Sequence, residues 1–209
     1  MRRALPLVVS LILGVALAPG CGIPKEQWEL KLRENADLVL DTSALSVHQL
    51  RQPDLAERIA AALKRHQINP NLLTCEITES AAMEDAEGTQ AIFERLAAVG
   101  VHLSIDDFGT GHSSLAYLQR LPVDELKIDR SFVREVDLSP RRYELLETIA
   151  RLGHSLGLTV TAEGIEREGE LDAVRRVGCD QVQGFLLGRP MDFESFLAWR
   201  DAREAAAPA

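Results

Sequence analysis

From about Lys25 onward the chain alternates two hydrophobic patterns, helical stretches with apolar residues three or four apart and shorter runs in which polar and apolar residues alternate. Leu55, Ile59 and Leu63 share one face of a helix predicted over Asp54 to His66, with Asp54 as its N-cap and Asn69-Pro70 as its stop. Leu72 to Ser80 then reads as a strand. Ile92, Leu96 and Val99 mark a helix over Ala86 to Val99 that closes on Gly100. Next come a strand over Val101 to Phe108, a Gly/Ser turn, a short amphipathic piece from Leu115 to Leu121, and a third strand over Glu125 to Val133. Ser139-Pro140 pairs a cap with proline at the first helical position, opening a helix with Leu145, Ile149, Leu152 and Leu156 that closes at Gly157. Leu158 to Glu163 is a fourth strand; Leu171, Val174 and Val177 mark a helix ending at Gly178; Asp180 to Leu187 is a fifth strand. Asp192 caps a last helix running past Trp199, and residues 201–209 form a disordered, dispensable tail.

Strand and helix in repeated alternation is the pattern of parallel βα units, which build both wound sheets and (β/α)₈ barrels. One detail favours a barrel. Near the C-terminal end of each strand, on the non-aliphatic parity, stands a polar residue: Glu76, Asp106, Lys127, Glu163 and Gln183. In a barrel these side chains converge at the top of the interior, where the sites of that fold lie.

Composition agrees with a single globular domain, since 46% of the 209 residues are hydrophobic and 26% charged. Lys and Arg number 23 against 32 Asp and Glu, a net charge of −9, which is the wrong sign for DNA binding. Cys21, Cys75 and Cys179 are odd in number and far apart, so neither a disulfide framework nor a cysteine zinc site is expected. Residues 1–22 stand apart: Arg2 and Arg3 lead into an apolar run that ends at Ala18-Pro19-Gly20-Cys21, the shape of a signal peptide with a lipoprotein-like cleavage box. Such a leader predicts export or anchoring at a membrane.

The carboxylates supply the candidate chemistry. Glu76 and Glu79 lie three residues apart at one strand end, and Asp106 and Asp107 are adjacent at the next. Hard oxygen donors of this kind select Mg²⁺ or Mn²⁺. Adjacent aspartates on a strand point to opposite faces, so both serve one site only where the strand yields to a turn, which Gly109-Thr110-Gly111 would supply. Two ions about 3.5–4 Å apart would suit in-line attack of water on a phosphodiester. Lys127 would hold the water or offset phosphate charge, and Glu163 would be a further ligand or a base. His48, His66, His102, His112 and His154 show no metal-ligand spacing.

Five segments in this order, Glu76-Ile77-Thr78-Glu79-Ser80, Asp106-Asp107-Phe108-Gly109-Thr110-Gly111-His112-Ser113-Ser114, Lys127-Ile128-Asp129, Ala162-Glu163-Gly164-Ile165-Glu166 and Gln183-Gly184-Phe185, resemble the EAL domain of bacterial cyclic-di-GMP phosphodiesterases. The resemblance implies a TIM-like (β/α) barrel, of α/β class, that hydrolyses cyclic di-GMP to linear pGpG with Mg²⁺ or Mn²⁺. It implies Glu76, Asp106 and Asp107 as metal ligands, Lys127 as the water-orienting group, and Glu163 as ligand or general base. Glu79 would brace the loop after Asp107; Thr110, Gly111 and Ser113 belong to that loop, which would link metal binding to homodimer formation; Glu166 and Gln183 would complete the site.

The sequence also departs from that family. The Glu-Ala-Leu tripeptide, whose glutamate is a metal ligand, occurs nowhere in it, and such a barrel needs about 250 residues where this chain has 209. The expected domain is therefore partial, spanning residues 24–200 and lacking about two strands with their helices, so that an exposed sheet edge invites a partner chain. Where the family has an Asn ligand, Asp41 or a deletion stands. The expectation is an impaired phosphodiesterase, with a non-catalytic module for cyclic di-GMP or a protein, or an inert gene remnant, as alternatives. A chain acting on this cytoplasmic messenger would be cytoplasmic if the leader is an artefact, and membrane-anchored or periplasmic otherwise.

Overall fold

The computed structural model describes residues 54–83, 86–111 and 115–189, with isolated positions on either side. The leader, Asp41, Ser113, Asp192 and most of the expected last helix lie outside the described residues. Helix α1 (Leu55–Arg65) is followed by a 3₁₀ turn over Pro70–Leu72, β1 (Thr74–Thr78), α2 (Glu79–Met83), α3 (Ala86–Val99), β2 (His102–Phe108), α4 (Leu115–Leu118) and β3 (Glu125–Ile128). Then come α5 (Arg130–Val133), a 3₁₀ turn over Val136–Leu138, α6 (Pro140–Ser155), β4 (Thr159–Ala162), α7 (Glu168–Val177) and β5 (Gln181–Val182). The strands form one parallel sheet in the order β1-β2-β3-β4-β5. Among the described residues, no helix is long and apolar enough to cross a membrane.

Alternation sorts this sheet into two unlike faces. Cys75, Ile77, Leu103, Ile105, Leu126, Ile128, Val160 and Ala162 are all buried and share one core with Phe93, Leu96, Leu146, Ile149, Leu171 and Val174 of the helices. The opposite parity carries Glu76, Ser104, Asp106, Glu125, Lys127 and Thr161, also buried. Burial pushes the Cys75 thiol up to about 12 and the Cys179 thiol up to about 11, so both behave as small apolar side chains.

Four of the strand ends and the buried face of α6 differ from the sequence expectation. Residues 129–133 leave the strand, because the Asp129 carboxylate accepts a hydrogen bond from the Ser131 amide at 3.0 Å and opens α5 instead. Glu79 starts α2 rather than ending a strand, and Glu163 and Gln183 stand just beyond β4 and β5. On α6 the buried stripe is Leu146, Ile149, Ala150 and Gly153, leaving Leu145 exposed. Gly153 sets that rotation, for a Cβ there would meet Val160 Cγ2 at 2.6 Å, and its absence lets α6 close on β4.

The end of the sheet away from the polar cluster is tied by two matching clasps. The Leu103 amide donates to Asp124 Oδ2 at 2.9 Å while the Asp124 amide donates to the Leu103 carbonyl at 2.9 Å. Val160 and Asp180 repeat the exchange at 2.8 and 2.9 Å, and His154 Nε2 adds a contact to Asp180 Oδ2 at 2.9 Å. Burial opposes ionisation of Asp180, but the Val160 amide and His154 outweigh it and hold the carboxyl below its ordinary value. A depressed folded-state pKa stabilises above the ordinary carboxyl range and is lost as pH falls through the folded value. Asp180→Ala is expected to lower stability by about 1–2 kcal/mol near neutrality. Urea unfolding followed from about pH 7 to about pH 3 should show the wild-type and variant midpoints converging; a constant gap would contradict the clasp.

Candidate metal and phosphodiester site

The polar face converges on one amine. Lys127, only 3% exposed, places Nζ 2.6 Å from Glu163 Oε1, 2.9 Å from Glu76 Oε1 and 3.1 Å from Asp106 Oδ1. Strand pairing explains the meeting, since Glu76 on β1, Asp106 on β2, Lys127 on β3 and Glu163 after β4 all stand at the C-terminal end of the sheet. Burial works against the charged lysine, yet Glu163, Glu76 and Asp106 together raise its pKa above the ordinary value. Burial likewise pushes Glu163 up to about 7, and outweighs Lys127 at Glu76, which is also raised.

Asp107 joins by a different route from the expected glycine turn. Its backbone is left-handed, with φ of 54°, inside β2 itself, where the register against β3 gains a residue between Ile105 and Phe108. This bulge, and not Gly109-Thr110-Gly111, brings the second aspartate round to the first. Aspartate tolerates that conformation better than most side chains, at about 1–2 kcal/mol. One oxygen from each of Asp106, Asp107 and Glu163 falls within a 4.8 Å cluster. Burial first, then Asp106 and Asp129, raise the Asp107 pKa. An all-oxygen donor set carrying four carboxylates around one ammonium fits Mg²⁺ or Mn²⁺ in chemistry and in charge. Glu76 faces the lysine and is outside that three-carboxylate group.

The remaining expected residues fall around this centre. Glu79 Oε2 accepts from the Gly109 amide at 2.7 Å and the Gly111 amide at 3.2 Å, fastening the loop after Asp107 to α2. Thr110 Oγ1 donates to the Asp107 carbonyl at 2.9 Å. Glu166 and Gln183 line a cleft of about 250 Å³ with Asp107, Asp129, Arg130, Glu163 and Phe185. Phe185 and Arg130 had no role assigned from sequence; Phe185 is half exposed, with the Arg189 guanidinium 4.7 Å from its ring centroid. Its signal was its place two residues beyond Gln183, an exposed aromatic at a strand end that points to the site.

Lys127→Met is expected to cost about 3–5 kcal/mol of stability at neutral pH, because the buried Glu76 and Asp106 and the half-buried Glu163 lose their counter-charge. Their folded pKa values then rise, so the deficit shrinks at low pH and widens as pH rises through those values; chemical unfolding at about pH 5 and about pH 8 checks the sign. Asp107→Asn keeps a residue that tolerates the left-handed turn and removes a repelling charge. Without metal it should be at least as stable as wild type, while its thermal midpoint rises less on adding Mn²⁺.

Comparison with known proteins places this arrangement. The family model for the EAL domain matches residues 26–190. The bifunctional diguanylate cyclase/cyclic di-GMP phosphodiesterase MucR of Pseudomonas aeruginosa is 47% identical over 154 residues, which are 74% of this chain and 22% of MucR. The solved structure of the PaMucR phosphodiesterase in complex with c-di-GMP superposes with a TM-score of 0.70 at 47% identity, covering 73% of this chain and 62% of that one. A manganese/cyclic-di-GMP complex of Klebsiella pneumoniae BlrP1 superposes with a TM-score of 0.65 at 31% identity, over 69% of this chain and 37% of that one. The five-stranded parallel sheet is thus part of an EAL barrel, and the chain spans about a fifth of the length of its curated relative MucR. The chain belongs to the EAL domain family.

Proposed function

We propose that this chain hydrolyses cyclic di-GMP to pGpG with Mg²⁺ or Mn²⁺, at a rate reduced because its sequence holds no Glu-Ala-Leu glutamate to complete the donor set. The observation that carries the reading is the union of Asp106, Asp107 and Glu163 beside a buried, charged Lys127. Asp106, Asp107 and Glu163 would hold the cation, while Glu76 pairs with the lysine. When bound, the ion would supply Lewis-acid polarisation of a phosphodiester oxygen. Lys127 orients the attacking water and offsets charge on the phosphate. As the water oxygen bonds to phosphorus, one bridging P–O bond breaks; one of the water's protons ends on the departing ribose oxygen, and the other stays on the new phosphate oxygen until that group ionises. Arg130 and the Phe185 ring give the cleft a cation and an apolar face suited to a phosphate and a purine base.

Chromatographic detection of pGpG with the full chain tests this reading. Slow, metal-dependent turnover is expected, with Glu163→Gln and Lys127→Met each losing at least about 100-fold. Folded protein that binds cyclic di-GMP without turning it over would overturn hydrolysis and leave a nucleotide-binding module.

A further inference from the structure

The Glu163–Arg167 segment carries a cluster carboxylate yet belongs to no strand or helix, so something must fix it. On its inner side the Ile165 amide donates to the Gln183 carbonyl and the Leu186 amide to the Ile165 carbonyl, both at 3.0 Å. On its outer side lies a feature with no counterpart in the sequence motifs. Glu170, on the first turn of α7, is 2% exposed. Its carboxylate accepts from the amides of Glu166 at 3.0 Å and Arg167 at 3.1 Å, and from the Glu135 amide at 3.0 Å. Arg167 Nε and Nη2 each donate to it at 3.1 Å.

These bonds join two loops that the chain separates. Glu135 follows β3 and α5 and is itself left-handed, with φ of 60°; Glu166 and Arg167 follow β4. Arg167 in turn reaches Asp137 Oδ1 at 2.5 Å. Gly169 makes room for that reach, since a Cβ there would lie 2.4 Å from Asp137 Oδ2. The segment so held is a wall between two hollows, the cleft over the acidic cluster and another of about 360 Å³ behind it, and Glu166 lines both.

We propose that Glu170, through Arg167 and Asp137, is a positioning residue that latches the Glu163–Arg167 wall to the loop after β3 and so sets where the Glu163 carboxylate stands for the cation. The proposal rests on the metal-site reading above. A carboxylate suits the task because one oxygen serves both wall amides while the other serves Glu135 and Arg167. Loss of a partner that orients a ligand typically weakens metal affinity about 10–100-fold.

The test compares Mn²⁺ affinity, by paramagnetic resonance of free ion, with amide hydrogen exchange at Glu166 and Arg167, in the full chain. Glu170→Ala should weaken Mn²⁺ binding about tenfold or more and speed exchange at both amides. Glu170→Gln, which keeps one accepting oxygen but turns an amide nitrogen on the donors that the other oxygen served, should restore only part of both. Asp180→Ala, which loosens the far end of the sheet, should change neither. Where Glu170→Ala does not fold, Arg167→Met should show smaller shifts in the same direction, and no shift overturns the latch. Wild-type affinity and exchange in folded Glu170→Ala would overturn it, as would an equal loss of Mn²⁺ affinity in Asp180→Ala. A wild-type chain that binds no Mn²⁺ defeats the metal reading, while unchanged exchange in Glu170→Ala separately defeats the latch.

Discussion

A lysine almost closed to water, with three carboxylates inside 3.1 Å of its nitrogen, is the constraint around which this molecule is organised. Burial alone would discharge an amine and protonate each acid. Together they stay, because one buried positive charge is shared among Glu163, Glu76 and Asp106. Three carboxylates against one ammonium leave more negative charge than Lys127 can cancel, and burial first, then the neighbouring acids, raise the pKa of Glu163 to about 7 and that of Glu76 above its ordinary value. On the proposed function, that surplus is what would draw a divalent cation and, through it, a phosphodiester to this face.

The rest of the sheet serves this charge cluster by dividing labour between its faces and its ends. Aliphatic side chains on one parity give the helices a core to pack on, so the other parity is free to be polar without cost to cohesion. The Asp124 and Asp180 clasps hold strands β2 to β5 at the far end. At the functional end the chain takes a left-handed turn at Asp107, and Glu79 and Glu170 fasten the neighbouring loop segments from opposite sides. Local strain of this kind persists only where surrounding contacts over-determine it.

Much of this was legible in the chain before any coordinates. Period-two alternation located all five strands, and the polar residue at each strand end marked the side that would converge. What alternation could not show were features set by competition between local options. Asp129 caps a helix instead of extending a strand, because its carboxylate reaches the Ser131 amide. The α6 face turned from Leu145 to Leu146 because Gly153 permits closer approach on one side, a choice the 3.6 period leaves open. The bulge at Asp107 has no marker in residue type. Glu170 carries no sequence signal of its part, since the Glu135 amide that it holds lies 35 positions away along the chain.

The central claim is that the inward face is a divalent-cation site built to meet a phosphodiester, and titration of Mn²⁺ into the full chain, with and without cyclic di-GMP, tests it most directly. The account predicts that Mn²⁺ binds and that the nucleotide tightens it, with the same factor seen when the order of addition is reversed. A folded chain that binds neither, or binds both with no mutual effect, would contradict it.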